Sequence, residues 1–239
     1  MRSDGRMTDE LRPFTLQRDY TRYAEGSVLV QAGDTRVLCT AMVQNGVPRH
    51  CRNQQIGWVT AEYAMLPSSN PDRRSLHKSP GGRTREIQRL IGRSLRMAVD
   101  LSAFQGRTIW CDCDVIQADG GTRTASVTGA FVALTDALWK LREQDSIDCL
   151  PIKHGIAAVS VGVVEGRPLL DLTGDEDRAA SVDMNVVTTH SGEFVEVQGT
   201  AESAPFGHEH LDEMLELAKK GTDEIRKQQM ALLKKRLAV

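Results

Sequence analysis

The chain has 239 residues, of which 40% are hydrophobic and 26% are charged, and its formal net charge at pH 7 is −2. This length and composition are typical of a globular protein with one core. The net charge gives no overall sign of nucleic-acid binding, and no apolar run is long enough to span a bilayer. The charged start lacks the apolar centre of a secretory signal, so we expect a cytoplasmic protein without membrane contact.

Hydrophobic periodicity predicts the order of strands and helices along the chain. The predicted strands cover residues 27–31, 36–43, 56–63, 108–116, 155–164, 169–172, 182–188 and 193–198. The predicted helices cover residues 84–100, the stretch that follows Gly121, residues 211–220 and residues 222–237, with Gly221 between the last two. Strands in groups with helices between them indicate an α/β (α+β) class, with residues 1–239 forming a single domain.

The segment QADGGTRTAS, residues 117–126, joins a predicted strand to a predicted helix through two glycines. Gly121 lets a ligand approach the backbone, and the N–H groups at a helix start bind anions. Arg123 adds a fork of donors that matches phosphate oxygens, and Thr122 adds a hydroxyl. The alternative is an ordinary capped helix. A cation in the first turn opposes the helix dipole unless an anion is present, so the pattern favours an anion site.

A second glycine pair precedes Arg83 at the start of the helix predicted over residues 84–100. Two glycine-plus-arginine helix starts suggest two sides of a phosphate clamp. The same helix carries Arg89 and Arg93 on one face, and the preceding polar loop carries Arg73 and Arg74. These four arginines are candidates for contacts with an RNA backbone, although a solvated basic surface explains them equally well.

Carboxylates are concentrated in the segment GDEDRAASVDMNVV, residues 174–187. Asp177 and Asp183 are six residues apart, across a possible helical turn that leads into an apolar strand. Converging carboxylates can hold Mg²⁺, which prefers oxygen ligands and retains several waters. Surface acids are common, but a bare carboxylate at the start of an apolar strand needs a reason, and this makes Asp183 a candidate for function.

The motifs, taken in order, resemble those of the ribonuclease PH family of phosphorolytic 3′-to-5′ exoribonucleases. The resemblance covers nearly the whole chain. It rests on MRSDGR, YAEGSVLVQAGDTRVLCTA, GWVTAEYAMLP, GGRTREIQRLIGRSLR, CDVIQADGGTRTAS, VDMNVV and VEVQGTAE. It implies a fold like domain 2 of ribosomal protein S5, with βαβα connectivity. It also implies assembly of identical chains into a hexameric ring.

The resemblance also implies roles for particular residues. Phosphate binding falls on Arg83, Gly121, Thr122 and Arg123, and catalysis and Mg²⁺ binding fall on Asp177 and Asp183. The implied reaction trims the 3′ ends of tRNA precursors and other RNA, but not DNA. Inorganic phosphate is the co-substrate and nucleoside 5′-diphosphates are released, which is a tRNA nucleotidyltransferase activity. The alternative is a non-catalytic RNA-binding subunit of a similar ring.

Overall fold

The computed structural model describes residues 2–71 and 81–237, without the side chains of residues 235 and 237. The strands of this described part are β1 (Phe14–Arg18), β2 (Gly26–Ala32), β3 (Thr35–Asn45), β4 (Trp58–Met65), β5 (Arg107–Gln117), β6 (Ile156–Val164), β7 (Arg167–Leu170), β8 (Val182–Thr189) and β9 (Phe194–Ala201). The helices are α1 (Gly82–Ala98), α2 (Thr122–Glu143), α3 (Gly174–Ala179) and α4 (His208–Leu237). None of the helices has the length and apolar character that crossing a membrane requires.

The first half of the chain forms a five-stranded sheet in the order β1-β2-β3-β5-β4. The pairings are antiparallel except for β4 with β5, which are parallel and connected through α1. One face of this sheet is apolar and buried, because inward residues such as Val37, Cys39, Ile109 and Val115 alternate with residues that point to the opposite, more exposed face. Helices α1 and α2 pack against the first sheet.

Helix α2 lies between the two sheets of the protein. It packs against β2, β3 and β5 of the first sheet and against β6 and β8 of the second. From Thr124 to Leu138 every residue is buried, which is the pattern of a helix covered on all sides. The N-terminus of this central helix therefore emerges where the two halves of the chain meet.

The second half forms an antiparallel four-stranded sheet in the order β7-β6-β8-β9. Side chains alternate along β8, so that Met184 and Val186 pack in the cluster beneath α4, whereas Val187 belongs to the core beneath α2. Asp183 and Asn185 share the Val187 face, because residues two apart on a strand point the same way. This register aims both polar side chains towards the first half of the chain.

The α/β (α+β) class predicted from the sequence is confirmed. The prediction of two C-terminal helices separated at Gly221 is wrong, because α4 continues through this residue. A Cβ atom at Gly221 would lie 2.7 Å from Cδ1 of Leu170 and 3.3 Å from Cγ2 of Val159. Glycine there allows the helix to approach the second sheet, and it does not end the helix.

Candidate functional site

A cleft of about 620 Å³ opens where the β5–α2 junction, the first turn of α1, helix α3 and strand β8 meet. Its volume is within the usual range of small-molecule sites. The cleft is lined by all six residues to which the sequence analysis assigned phosphate binding, catalysis or metal binding: Arg83, Gly121, Thr122, Arg123, Asp177 and Asp183. Residues from separate elements in both halves of the chain therefore meet in one place.

The turn before α2 contains two consecutive glycines in the left-handed region. Gly120 and Gly121 have φ values of 72° and 65°. The Gly120 carbonyl accepts a hydrogen bond from Oγ1 of Thr35 at 2.6 Å and one from Nη2 of Arg12 at 3.4 Å, and the Asp119 carbonyl accepts one from Nη1 of Arg12. In a trans peptide the N–H points away from the adjoining carbonyl, so these bonds turn the N–H groups of both glycines away from Arg12.

Helix α2 begins without a side-chain cap. Its N-cap residue is Gly121, and no side chain there accepts a capping hydrogen bond. The Thr122 hydroxyl instead shares a 2.8 Å hydrogen bond with the Tyr63 hydroxyl, and the Thr124 hydroxyl donates to the Gly121 carbonyl at 2.9 Å. The N–H groups of the first turn, which have no partner inside the helix, remain available to a ligand. This geometry favours the anion site over an ordinary capped helix.

Three arginines of the described part of the chain line the cleft and give it positive charge, namely Arg83, Arg123 and Arg178. Arg123, in the first turn of α2, is largely buried and donates from Nη1 to Oε1 of Gln198 at 3.2 Å. Arg83, in the first turn of α1, is exposed. Burial raises the pKa of Tyr63, and the Thr122 hydrogen bond and the guanidinium groups of Arg83 and Arg123 counteract this rise. These two cations therefore act on the same region of the cleft.

The two aspartates lie on the other side of the α2 start. Asp177 is on α3, and Asp183 is near the beginning of β8. Burial raises the pKa of Asp183, and burial together with the charge of Asp183 raises the pKa of Asp177. Asp177 is accessible to solvent but is enclosed by the cleft walls, and Oδ1 of Asp183 is buried without any hydrogen-bond donor. A carboxylate oxygen that is buried without a donor, as Oδ1 of Asp183 is, needs a cation or a proton.

The carboxylate pair fits a magnesium ion. Within the described ranges, no three His, Cys, Asp or Glu side chains cluster as metal ligands. Mg²⁺, however, is commonly held by one or two carboxylates together with water and substrate phosphate oxygens. The unpartnered Oδ1 of Asp183 is a free ligand atom of the right chemical type. The guanidinium of Arg178 forms its ion pair with Asp175 and none with Asp177 within the described residues, although its charge counteracts the rise in the pKa of Asp177.

Several residues that line the cleft were missed by the sequence analysis. Asn185 lies two residues beyond Asp183 on the same face of β8, and Ser160 pairs with it on β6. The period-2 pattern of VDMNVV was a signal for Asn185, since a buried amide in an apolar strand needs a partner. No local sequence pattern marks Tyr63 or Gln198 as functional, because the role of each side chain depends on its hydrogen bond to the first turn of α2.

Two of the four arginines predicted to bind RNA, Arg89 and Arg93, are described, and neither is among the residues that line the cleft. Arg89 and Arg93 are exposed on α1, and Arg93 donates to Oε1 of Glu196 at 2.6 Å. Arg73 and Arg74 lie outside the described residues. An RNA-binding role for these four side chains stays a prediction.

Two family models match the chain. Residues 10–139 match the RNase PH model, domain 1 of the 3′ exoribonuclease family, and residues 154–221 match domain 2 of the same family. The chain belongs to the 3′ exoribonuclease family. Membership of the family does not test the prediction that residues 1–239 form a single domain, which stays a prediction.

The fold of this chain is shared with solved structures of other proteins. A chain of the Archaeoglobus fulgidus exosome with RNA bound to the active site matches with a TM-score of 0.82 and 24% identity, over 95% of this chain and 92% of that chain. Rice (Oryza sativa) Rrp46 matches with a TM-score of 0.79 and 20% identity, over 97% and 100%. An archaeal exosome core chain matches with a TM-score of 0.76 and 23% identity, over 95% and 90%.

Proposed function

We propose that this chain is a phosphorolytic 3′-to-5′ exoribonuclease of the ribonuclease PH type. In the proposed reaction an oxygen of inorganic phosphate forms a bond to the phosphorus of the last diester of an RNA chain. The bond from that phosphorus to the 3′ oxygen of the preceding nucleotide breaks, and that oxygen takes up a proton. The products are RNA shortened by one nucleotide and a nucleoside 5′-diphosphate.

The observation that carries this proposal is that the uncapped start of α2, two arginines on two different helices and two carboxylates all line one cleft. Phosphorolysis must bring an anionic nucleophile to an anionic diester, so charge neutralisation and positioning supply most of the acceleration. Arg83, Arg123 and the N–H groups at Gly121 and Thr122 would bind and orient the phosphate. A hydrolytic nuclease has no need of such a clamp.

Asp177 and Asp183 would act on the diester side of the reaction. Bound Mg²⁺, held by these two carboxylates, would supply neutralisation of charge on the diester oxygens. In the absence of a metal ion, a carboxyl with a raised pKa would instead be suited to delivering the proton that the departing 3′ oxygen takes up. The substrate would be a single-stranded 3′ end, because a cleft of about 620 Å³ would take one nucleotide at a time.

The proposed substrates are the 3′ ends of tRNA precursors, and the proposed assembly is a homohexameric ring. The similar solved structures include exosome complexes, one of which has RNA bound at its active site. The basic stretch of residues 73–96 would contact the RNA backbone from several subunits of the ring. A non-catalytic ring subunit is the second candidate, because the fold is shared with exosome chains such as Rrp46. The buried Oδ1 of Asp183, which has no hydrogen-bond donor, argues for catalysis.

The decisive experiment compares the products of RNA degradation with and without phosphate. Phosphate-free protein with Mg²⁺ should leave single-stranded RNA nearly intact, and added phosphate should release nucleoside 5′-diphosphates. Arg123→Ala should raise the phosphate KM or lower kcat, by roughly 10- to 100-fold in kcat/KM. Asp183→Asn should abolish turnover but retain RNA binding. Nucleoside monophosphates formed at full rate without phosphate would refute phosphorolysis, and full activity of Asp183→Asn would refute its catalytic role.

Assembly and RNA binding are tested together by light scattering and by the salt dependence of tRNA-precursor binding. A multimeric ring that contacts several phosphates should bind less tightly as salt rises, with a slope of about −0.7 per neutralised phosphate on single strands. Charge reversal at Arg73 and Arg74 should flatten this slope but leave the phosphate dependence of turnover in place. A fully active monomer, or binding that is indifferent to salt, would contradict this part of the proposal.

A further inference from the structure

The N-terminal segment, residues 2–12, lies against the α3 side of the cleft and buries two arginines. Arg2 and Arg12 are only 9% and 5% exposed. Charged side chains are rarely buried to this extent unless they are fully paired, because removing a charge from water is costly. The partners of these two arginines show what their burial achieves.

Arg12 connects the turn before α2 to the chain segment that leads into α3. Its backbone N–H and Nε donate to Oδ2 of Asp171 at 2.8 and 3.0 Å, and its Nη2 donates to Oδ1 at 2.7 Å. The same guanidinium donates to the carbonyls of Asp119 and Gly120. One side chain therefore holds a carboxylate of the second half of the chain and the glycine turn of the first half.

Arg2 continues this connection to the helix that carries Asp177. Its Nε and Nη2 donate to the two carboxylate oxygens of Glu176 at 2.7 and 2.6 Å. Its Nη1 and Nη2 also donate to the carbonyls of Leu170 and Asp171, at 2.8 and 2.9 Å. Glu176 completes the capping box at the start of α3 and directly precedes Asp177. The orientation of α3 thus depends on a fork-to-fork ion pair with Arg2.

We propose that Arg12 and Arg2 are positioning residues: Arg12 orients the phosphate-binding turn and Arg2 orients the helix of Asp177. This inference rests on the proposed function, because it assigns Arg12 to the binding of phosphate and Arg2 to the placement of Asp177 in that reaction. The turn and α3 belong to different halves of the chain, and the N-terminal segment bonds to both. Small displacements at a reacting centre are costly to rate, so such a connection has a direct consequence for turnover.

Lysine is the informative replacement at both positions. It retains the positive charge but lacks the planar fork that bonds a carboxylate and two carbonyls together. Arg12→Lys should raise the phosphate KM by roughly 10-fold and leave kcat little changed, because the anion-binding turn loses its support whereas α3 keeps its own ion pair with Arg2. Arg2→Lys should lower kcat by roughly 10-fold at an unchanged phosphate KM, because the helix of Asp177 loses its support.

A binding measurement that needs no turnover accompanies the kinetics. A ligand that binds the native state raises the Tm, so inorganic phosphate should stabilise the wild-type protein in thermal unfolding. We expect Arg12→Lys to lose most of this phosphate-induced shift and Arg2→Lys to retain it. Lys220→Met is the matched control, since it removes the exposed 2.6 Å ion pair between α4 and Asp9 of the same segment. It should behave as wild type in both assays.

A second variant guards against failure of Arg12→Lys to fold. Asp171 has a φ of 54°, a conformation that asparagine tolerates, so Asp171→Asn keeps the shape of the partner and removes its charge. It should reproduce the raised phosphate KM. If both variants bind phosphate as wild type does, or if Arg2→Lys loses phosphate affinity rather than kcat, the positioning roles are refuted. If the wild-type protein itself neither binds nor uses phosphate, the proposed function fails instead.

Discussion

Replacing Gly120 by alanine should disrupt the contact between the two halves of the cleft. A Cβ atom at this position would lie 2.4 Å from the Leu172 carbonyl oxygen, 2.8 Å from the Thr173 carbonyl carbon and 3.0 Å from the Gly174 nitrogen. All three atoms belong to backbone, so no side-chain rotation relieves the overlap. The turn before α2 must therefore move away from the segment that begins α3.

The size of the effect follows from comparison with Gly166, which has a similar φ of 74° and nothing within 4 Å of an added Cβ. Gly166→Ala incurs only the left-handed backbone penalty, about 1–2 kcal/mol, offset in part by about 0.4–1 kcal/mol of unfolded-state entropy. We expect a net loss of about 1 kcal/mol in the free energy of unfolding. Gly120→Ala adds an overlap cost of about 1–3 kcal/mol, which brings the loss to about 2–4 kcal/mol.

Urea unfolding of both variants, followed by circular dichroism, measures this difference. Phosphate-induced stabilisation should also be reduced in Gly120→Ala and unchanged in Gly166→Ala, because only the first glycine lines the cleft. Equal destabilisation of the two variants would refute the close backbone approach at Gly120. If Gly120→Ala is destabilised but still binds phosphate normally, the close backbone approach at Gly120 does not contribute to phosphate binding.

Two further predictions concern buried charge. Burial raises the pKa of Asp183 in the folded protein above its unfolded value of about 3.9. The cost of burying the ionised Asp183 carboxylate is therefore absent below that value and develops as pH rises through the raised pKa. Asp183→Asn removes this cost and should raise the Tm at neutral pH. In thermal melts at increasingly acidic pH, this gain in Tm should shrink. A gain that does not depend on pH would contradict this cause. Arg18 pairs with the buried Asp136 through Nε at 2.8 Å, so Arg18→Met should cost about 3 kcal/mol in urea unfolding. Addition of Asp136→Leu should restore part of that loss, and a double variant no more stable than Arg18→Met would contradict the ion-pair explanation.

The sequence by itself determined the local chemistry of the candidate site. The two glycines, the hydroxyl of Thr122 and the guanidinium of Arg123 are neighbours in the chain, so their arrangement follows from one turn and one helix start. The same is true of Arg83 at the start of α1 and of the strand that carries Asp183. Periodicity and turn chemistry act over a few residues, and they were sufficient to predict these elements.

Only the tertiary structure decided how these pieces meet. The Tyr63–Thr122 and Arg123–Gln198 contacts, and the bonds from Arg12 to Asp119 and Asp171, link residues that are far apart in the chain. Their formation depends on how the two sheets pack around α2, and no local pattern contains that information. The same reason explains the wrong helix boundary at Gly221. A glycine that ends a helix and a glycine that lets a helix approach a sheet are identical in sequence, and only the packed neighbours distinguish them.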